Sequence, residues 1–143
     1  MDGLHPGVEP KTIHRYRSLL VPVLFFALCA TAQASNICPA ATDEGEMYDC
    51  LQQKLKASDQ ALNTAYKTLI ARYKDNGLSR NPPTQDQMLK KAQLAWIALR
   101  DASCDFETYE SREGSGFGTI HTFCLLEQTQ QRVEYLNGLV GAP

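Results

Sequence analysis

From Met47 onwards, apolar side chains recur at steps of three and four: Met47, Leu51, Leu55, Leu62, Ala65, Tyr66, Leu69 and Tyr73, with Ser58 filling one position of the stripe. Lys54, Lys56, Lys67 and Lys74 fall on the other face, the pattern of an amphipathic helix. Asp43 with Glu46 forms a capping-box pattern at its start. No Pro or Gly interrupts Glu46 to Asn76, and Asp75-Asn76-Gly77 is a strong stop, with Gly77 suited to the left-handed position after a helix. Such a helix of about 30 residues would be about 45 Å long. It cannot bury its stripe against itself and must pack on later segments.

After the loop 78–83, Thr84 with Gln87 repeats the capping-box pattern and opens a second helix that ends near Tyr109. Its core stripe is read through Leu89, Ala92, Trp96, Leu99, Ser103 and Phe106, with Arg100 and Asp101 towards the edges. Residues 110–118 (ESREGSGFG) hold Gly114, Gly116 and Gly118 and read as a flexible connection. A third helix follows over 119–139, with Ile120, Phe123, Leu126, Thr129, Val133, Leu136 and Val140 in the same rhythm. There is no alternating strand pattern and no internal repeat. The fold class expected is all-α, a small antiparallel three-helix bundle with one long and two shorter helices.

The stretch before Asn36 changes the picture. Lys11, Arg15 and Arg17 precede an apolar run from Leu19 to Ala30, and Ala32-Gln33-Ala34 then supplies a small-x-small cleavage pattern. Residues 1–34 are therefore read as a signal peptide and 35–143 as a single domain. The run is shorter than the roughly 20 residues of a membrane span and contains Pro22, so no stable span is expected after the leader is removed. Lipidation of Cys29 is the weaker reading, because Leu28 replaces the small residue expected before a lipidated cysteine. The location expected is periplasmic or secreted, in a bacterium.

Removing Cys29 with the leader leaves Cys38, Cys50, Cys104 and Cys124. An even number in an oxidising compartment reads as two disulfides. Of the three possible pairings, Cys38–Cys50 with Cys104–Cys124 is preferred, since each bond closes a short irregular lead-in onto a helix. Spacings of 12 and 20 residues do not resemble paired C-x2-C ligands, so neither a metal nor any other cofactor is expected. The chain's net charge of −2 becomes slightly more acidic without the leader, which argues against nucleic acid or anionic lipid as partner.

Catalytic chemistry finds little support. His121 is the one histidine after the leader, and the cysteines are assigned to disulfides, so a triad would have to be built on His121 alone. Gly114-Ser115-Gly116-Phe117-Gly118 precedes a helix but follows another helix and has no lysine behind it, unlike a phosphate cradle. The chain is not expected to be an enzyme. The run Asp101, Asp105, Glu107, Glu110 and Glu113 is more suggestive. Carboxylates near a helix C-terminus oppose the helix dipole, and such a cluster suits a cationic partner. Phe117 in the glycine-rich connection is read with them as a partner-binding element.

Three blocks then carry a resemblance. They are Asp59-x-x-Leu62-Asn63-x-x-Tyr66-x-x-Leu69, Gln93-x-x-Trp96-x-x-x-Arg100-Asp101-x-x-Cys104, and Cys124-x4-Thr129-x-x-Arg132-x3-Leu136, in the frame of four cysteines. Over essentially the whole mature chain this pattern resembles the LprI-like (DUF1311) family of small secreted bacterial proteins. The resemblance implies an all-helical exported domain and, for some members, inhibition of host-type lysozyme. It carries over no inhibitory residues. Asn63, Tyr66, Trp96, Arg100 and Arg132 are read as structural, with Arg100 or Arg132 pairing Asp59 or Asp101 to fix helix register. The leading expectation is a protein-binding domain whose most concrete partner is a basic lysozyme. The alternative is a non-inhibitory envelope scaffold or interaction module that uses an exposed helix stripe.

Overall fold

The computed structural model describes residues 36–75, 77 and 81–141. The leader, Cys29, Asn76 and residues 78–80 lie outside the described residues. Three helices follow in order: α1 (Glu44–Tyr73), α2 (Gln85–Glu107) and α3 (Phe117–Gly141), with a short 3-10 turn at Tyr109–Ser111 before α3. No strand occurs among the described residues. The chain runs up, down and up, so α1 and α3 are parallel neighbours and α2 returns between their ends.

The starts of α1 and α2 are closed by their own side chains. At α1, Asp43 accepts from the Glu46 amide at 2.9 Å, while the Glu46 carboxylate accepts from the Thr42 amide and hydroxyl, each at 2.8 Å. The reciprocal half of the box thus reaches one residue further back than the sequence pattern implies. At α2, Gln87 Oε1 accepts from the Thr84 amide at 3.2 Å, and the Thr84 hydroxyl donates to the Asp86 carboxylate. Gly77 takes φ +82° after α1, the left-handed conformation that a Cβ would strain. Over α1 the helix ends at Tyr73, three residues short of the sequence limit.

The core is built along α1 and α3 in two clusters. Cys38, Leu51, Phe123 and Leu126 form one, joined by the half-buried Ile37, Met47 and Leu55. Leu62, Ala65, Leu69 and Leu136 form the other, joined by Tyr66, Leu89, Trp96 and Val133. Polar bonds set the register of the pair at both ends. Gln52 donates to the Thr122 hydroxyl at 2.8 Å. At the far end Arg72 donates to the Leu139 and Val140 carbonyls at 3.1 and 2.6 Å, placing a cation where the α3 dipole is negative. Both disulfides have the expected pairing, Cys38–Cys50 and Cys104–Cys124, with Cα–Cα distances of 6.2 and 5.7 Å.

α2 departs from its sequence reading. Its buried residues are Gln93 and Cys104, and Trp96 and Ser103 are half-buried. Leu99 and Phe106 are 64% and 81% exposed, so they lie outside the core. The inward face of α2 is rotated towards Leu89, Gln93, Trp96 and Arg100, because polar bonds to α3 replace apolar packing there. Ile120 is likewise 46% exposed, since α3 faces α1 through Thr119, Thr122, Phe123 and Leu126. The connection before α3 is a chain of successive turns. Amides of Ser111, Arg112, Gly114 and Phe117 donate to carbonyls three residues back at 2.9–3.3 Å, so its backbone is internally bonded where the glycines suggested slack.

Two outcomes follow. Leu69→Ala, at a fully buried position, is expected to cost about 2–5 kcal/mol in urea unfolding, while Leu94→Ala, 60% exposed, should stay within about 0.5 kcal/mol. The Thr84 hydroxyl holds the Asp86 carboxyl below the ordinary carboxylate value. A folded value below the unfolded one means that Asp86 favours the native state above about pH 4 and loses that contribution as the pH falls through its folded value. Thr84→Val should move the Asp86 carboxyl titration, followed by NMR, upward towards the ordinary value, the backbone amides that also lower it remaining in place.

Candidate functional site

Two groups of side chains stand out, one inside the bundle and one at its end. The inner group is centred on Trp96. Arg100 lies over its ring at 5.3 Å and Arg132 at 5.5 Å, so a cation approaches the indole from α2 and another from α3. The Arg100 side chain is 15% exposed. It donates to the Thr129 hydroxyl at 3.0 Å and reaches Asp59 at 3.5 Å and Asp101 at 2.9 Å. The hydroxyl of Thr129, fully buried, in turn donates a hydrogen bond to the Leu125 carbonyl at 2.7 Å. Arg132 donates to Gln93 Oε1 at 3.1 Å and also stacks on Tyr135 at 4.9 Å. Burial holds the Arg132 guanidinium below its usual value.

These contacts join all three helices: Asp59 from α1, Gln93, Trp96 and Arg100 from α2, and Thr129 and Arg132 from α3. The group is well satisfied, which is what partly buried charge requires. Beside it, Asp59, Asn63, Tyr66, Gln93 and Ile97 line an open cleft between α1 and α2. Asn63 is exposed on its wall and Tyr66 packs into the second core cluster.

The second group is the end of the bundle where α1 and α3 begin and α2 stops. Its members from the acidic run have different surroundings. Asp101 belongs to the Arg100 network. Asp105 faces His121 Nε2 at 3.1 Å, and the His121 ring lies 5.3 Å from that of Phe117. The Glu107 carboxylate sits 3.7 Å from Cys124 Sγ, a contact rather than a hydrogen bond because a disulfide sulfur carries no proton. Glu110 and Glu113 are exposed on the turns. Phe117 is the first residue of α3 and half-buried, so it does not project from the connection as an inserted element would.

The fold adds carboxylates that the linear run does not contain. Glu44 lies beside Gly116, its Oε1 3.4 Å from where a Cβ would stand, and the Tyr48 ring packs on Gly118 at 3.1–3.3 Å from such a Cβ. The first turn of α1 therefore meets the connection, bringing Asp43, Glu44 and Glu46 to the same end as Asp105, Glu110 and Glu113. All six are exposed. The neighbouring cation is Arg112, stacked over Tyr109 at 5.1 Å. Glu44 and Glu46 are favourably placed at the positive end of α1, whereas Asp105 opposes the α2 dipole and is offset by His121. His121 with Asp105 is a histidine–carboxylate pair on the surface between α2 and α3, partly open to solvent on both sides.

The family model described as lysozyme inhibitor LprI matches residues 38–136, a span that holds all four of these cysteines and the whole Trp96 network. The chain belongs to the LprI family. An uncharacterised protein of Rhizobium meliloti (strain 1021) is 32% identical over 129 residues, covering 83% of this chain and 93% of the relative. No solved structure matches. The fold seen here is helical, as the resemblance implied, and its two disulfides have the pairing preferred from the cysteine positions. Among the described residues no helix is long and apolar enough to cross a membrane.

The inner network of this LprI chain makes a checkable demand. Thr129→Val leaves an Arg100 donor without its buried acceptor and should cost about 1–3 kcal/mol in urea unfolding, with the helical far-UV signal retained.

Proposed function

We propose that this LprI-family chain is an exported protein-binding domain that inhibits a basic lysozyme, using the acidic end of its bundle. The family match over residues 38–136 carries the proposal. The geometry supports it in two ways. Six exposed carboxylates from two separate parts of the chain converge on one end, which suits a cationic surface. The disulfide Cys104–Cys124 and the bonded turns hold that end in one shape before binding, which limits the ordering cost of association.

In this mechanism the field of the acidic end steers a basic lysozyme into encounter. Glu110, Glu113 and Glu44 then pair with cations beside its substrate cleft, and the bulk of the bundle blocks access to the cleft. Removing charge should act mainly on the association rate and its salt dependence. The signal peptide over residues 1–34 and a periplasmic or secreted location complete the proposal. Disulfides of this kind form in such oxidising compartments.

A cell-wall turbidity assay with several lysozymes, paired with calorimetry, tests it. Inhibition in excess protein, with heat of binding, is the expected result. Absence of both across all lysozymes overturns it. The variant Glu44→Gln/Glu110→Gln/Glu113→Gln should slow association about tenfold at low salt and flatten the salt dependence.

A further inference from the structure

α2 carries a second apolar stripe, on the side away from the core. Met88, Ala92, Ala95, Leu99, Ala102 and Phe106 follow one another at alternating steps of four and three, and Tyr109 continues the series into the following turn. No charged residue interrupts it. Every one of these residues is exposed, with Met88 at 49%, Leu99 at 64%, Phe106 at 81% and Tyr109 at 59%. Alternating steps of four and three are the heptad spacing by which one helix pairs with another. From Met88 to Phe106 the stripe is about 27 Å long at 1.5 Å per residue. Neither α1 nor α3 covers it, because the Trp96 network and the Cys104–Cys124 bond turn the opposite face of α2 inward.

We propose that this stripe pairs with the same stripe of a second copy of the chain, the two α2 helices running antiparallel. Side-chain size and charge both select that arrangement. With the two-fold axis near Ile97, Ala95 faces Leu99 of the second copy, Ala92 faces its Ala102, and Met88 faces its Phe106. Large residues thus meet small ones at the centre, and the alanines let the backbones approach. Along one edge of the stripe stand Lys91, Ala98 and Asp105, one heptad apart. Antiparallel pairing sets Lys91 of each copy against Asp105 of the other, twice over, with Ala98 at the centre. Parallel pairing sets Lys91 beside an indole and gives Asp105 no cation from the second copy, so it forfeits both ion pairs between the chains.

The dimer places the two acidic ends at opposite poles; it takes Asp105 into the pairing and leaves Asp43, Glu44, Glu46, Glu110 and Glu113 open. It does not depend on the identity of the protein bound there, and its test is separate from any inhibition assay.

Sedimentation equilibrium of the disulfide-bonded mature chain over micromolar to millimolar concentration tests the pairing. The wild type is expected to dimerise. Leu99→Glu should raise the dissociation constant at least about hundredfold, since two leucines lose their burial, with unchanged helical signal and unfolding midpoint of the monomer. Lys91→Glu alone and Asp105→Lys alone should each weaken the dimer about tenfold, and the double exchange Lys91→Glu/Asp105→Lys should restore it. A wild type that remains monomeric to millimolar concentration overturns the proposal. So does a dimer indifferent to Leu99→Glu, which would place the contact elsewhere, for instance on the acidic end. Failure of the double exchange to restore pairing overturns the antiparallel register, and this readout holds even where Leu99→Glu disturbs folding.

Discussion

The arrangement of this LprI chain depends on how α2 is attached. α1 and α3 share two apolar clusters, but α2 contributes only Leu89 and Trp96 to them and buries Gln93 and Cys104. What holds it is the indole of Trp96 between the guanidinium groups of Arg100 and Arg132, with Thr129, Gln93, Asp59 and Asp101 taking the remaining donors. Cation–π contacts of partly desolvated arginines contribute on the order of 1–2 kcal/mol each. Hydrogen bonds to charged groups add comparable amounts. Polar attachment is also directional. It permits one rotation of α2 about its axis, where an all-apolar face would tolerate several.

That rotation has consequences at both ends of the protein's chemistry. It brings Cys104 against Cys124 and so anchors the turns that carry Glu110 and Glu113. It also turns Leu99 and Phe106 to solvent. The disulfides suit a domain of this size, whose core is modest. In the chain-entropy model a loop of 12 to 20 residues gives roughly 3 kcal/mol. Cys38–Cys50 joins the irregular lead-in to α1, and Cys104–Cys124 joins α2 to α3 across the connection that carries Glu110 and Glu113.

Fold and function meet at that end. α1 begins with acids because the first turn of a helix favours negative charge. α2 ends with acids against the same preference, and the connection adds more. Only the second and third of these features lack a local reason. The histidine opposite Asp105 and the stacked arginine at Tyr109 soften the cost without neutralising the end. The result is a negative surface, assembled from segments some sixty residues apart along the chain.

The three helices, the caps of α1 and α2, the preferred disulfide pairing and the family were legible along the chain. Those features rest on local spacing, on side chains that bond to their own turn, and on cysteines that close short loops. The long α1 stripe was legible for the same reason, since its apolar positions admit one inward face. For α2 the apolar positions admit two. The sequence suggests one stripe through Leu89, Trp96, Leu99 and Phe106, but the spacing fits an inward face centred on Leu89 and Trp96 as well as one centred on Leu99 and Phe106. Only the tertiary structure decided between them, because the deciding partners, Thr129 and Arg132 on α3 and Asp59 on α1, lie far away in sequence and act through directed bonds. The acidic end was half legible for the same physical reason. A run of carboxylates can be read from neighbouring residues, but the meeting of Glu44 with Gly116 exists only once α1 and α3 lie side by side.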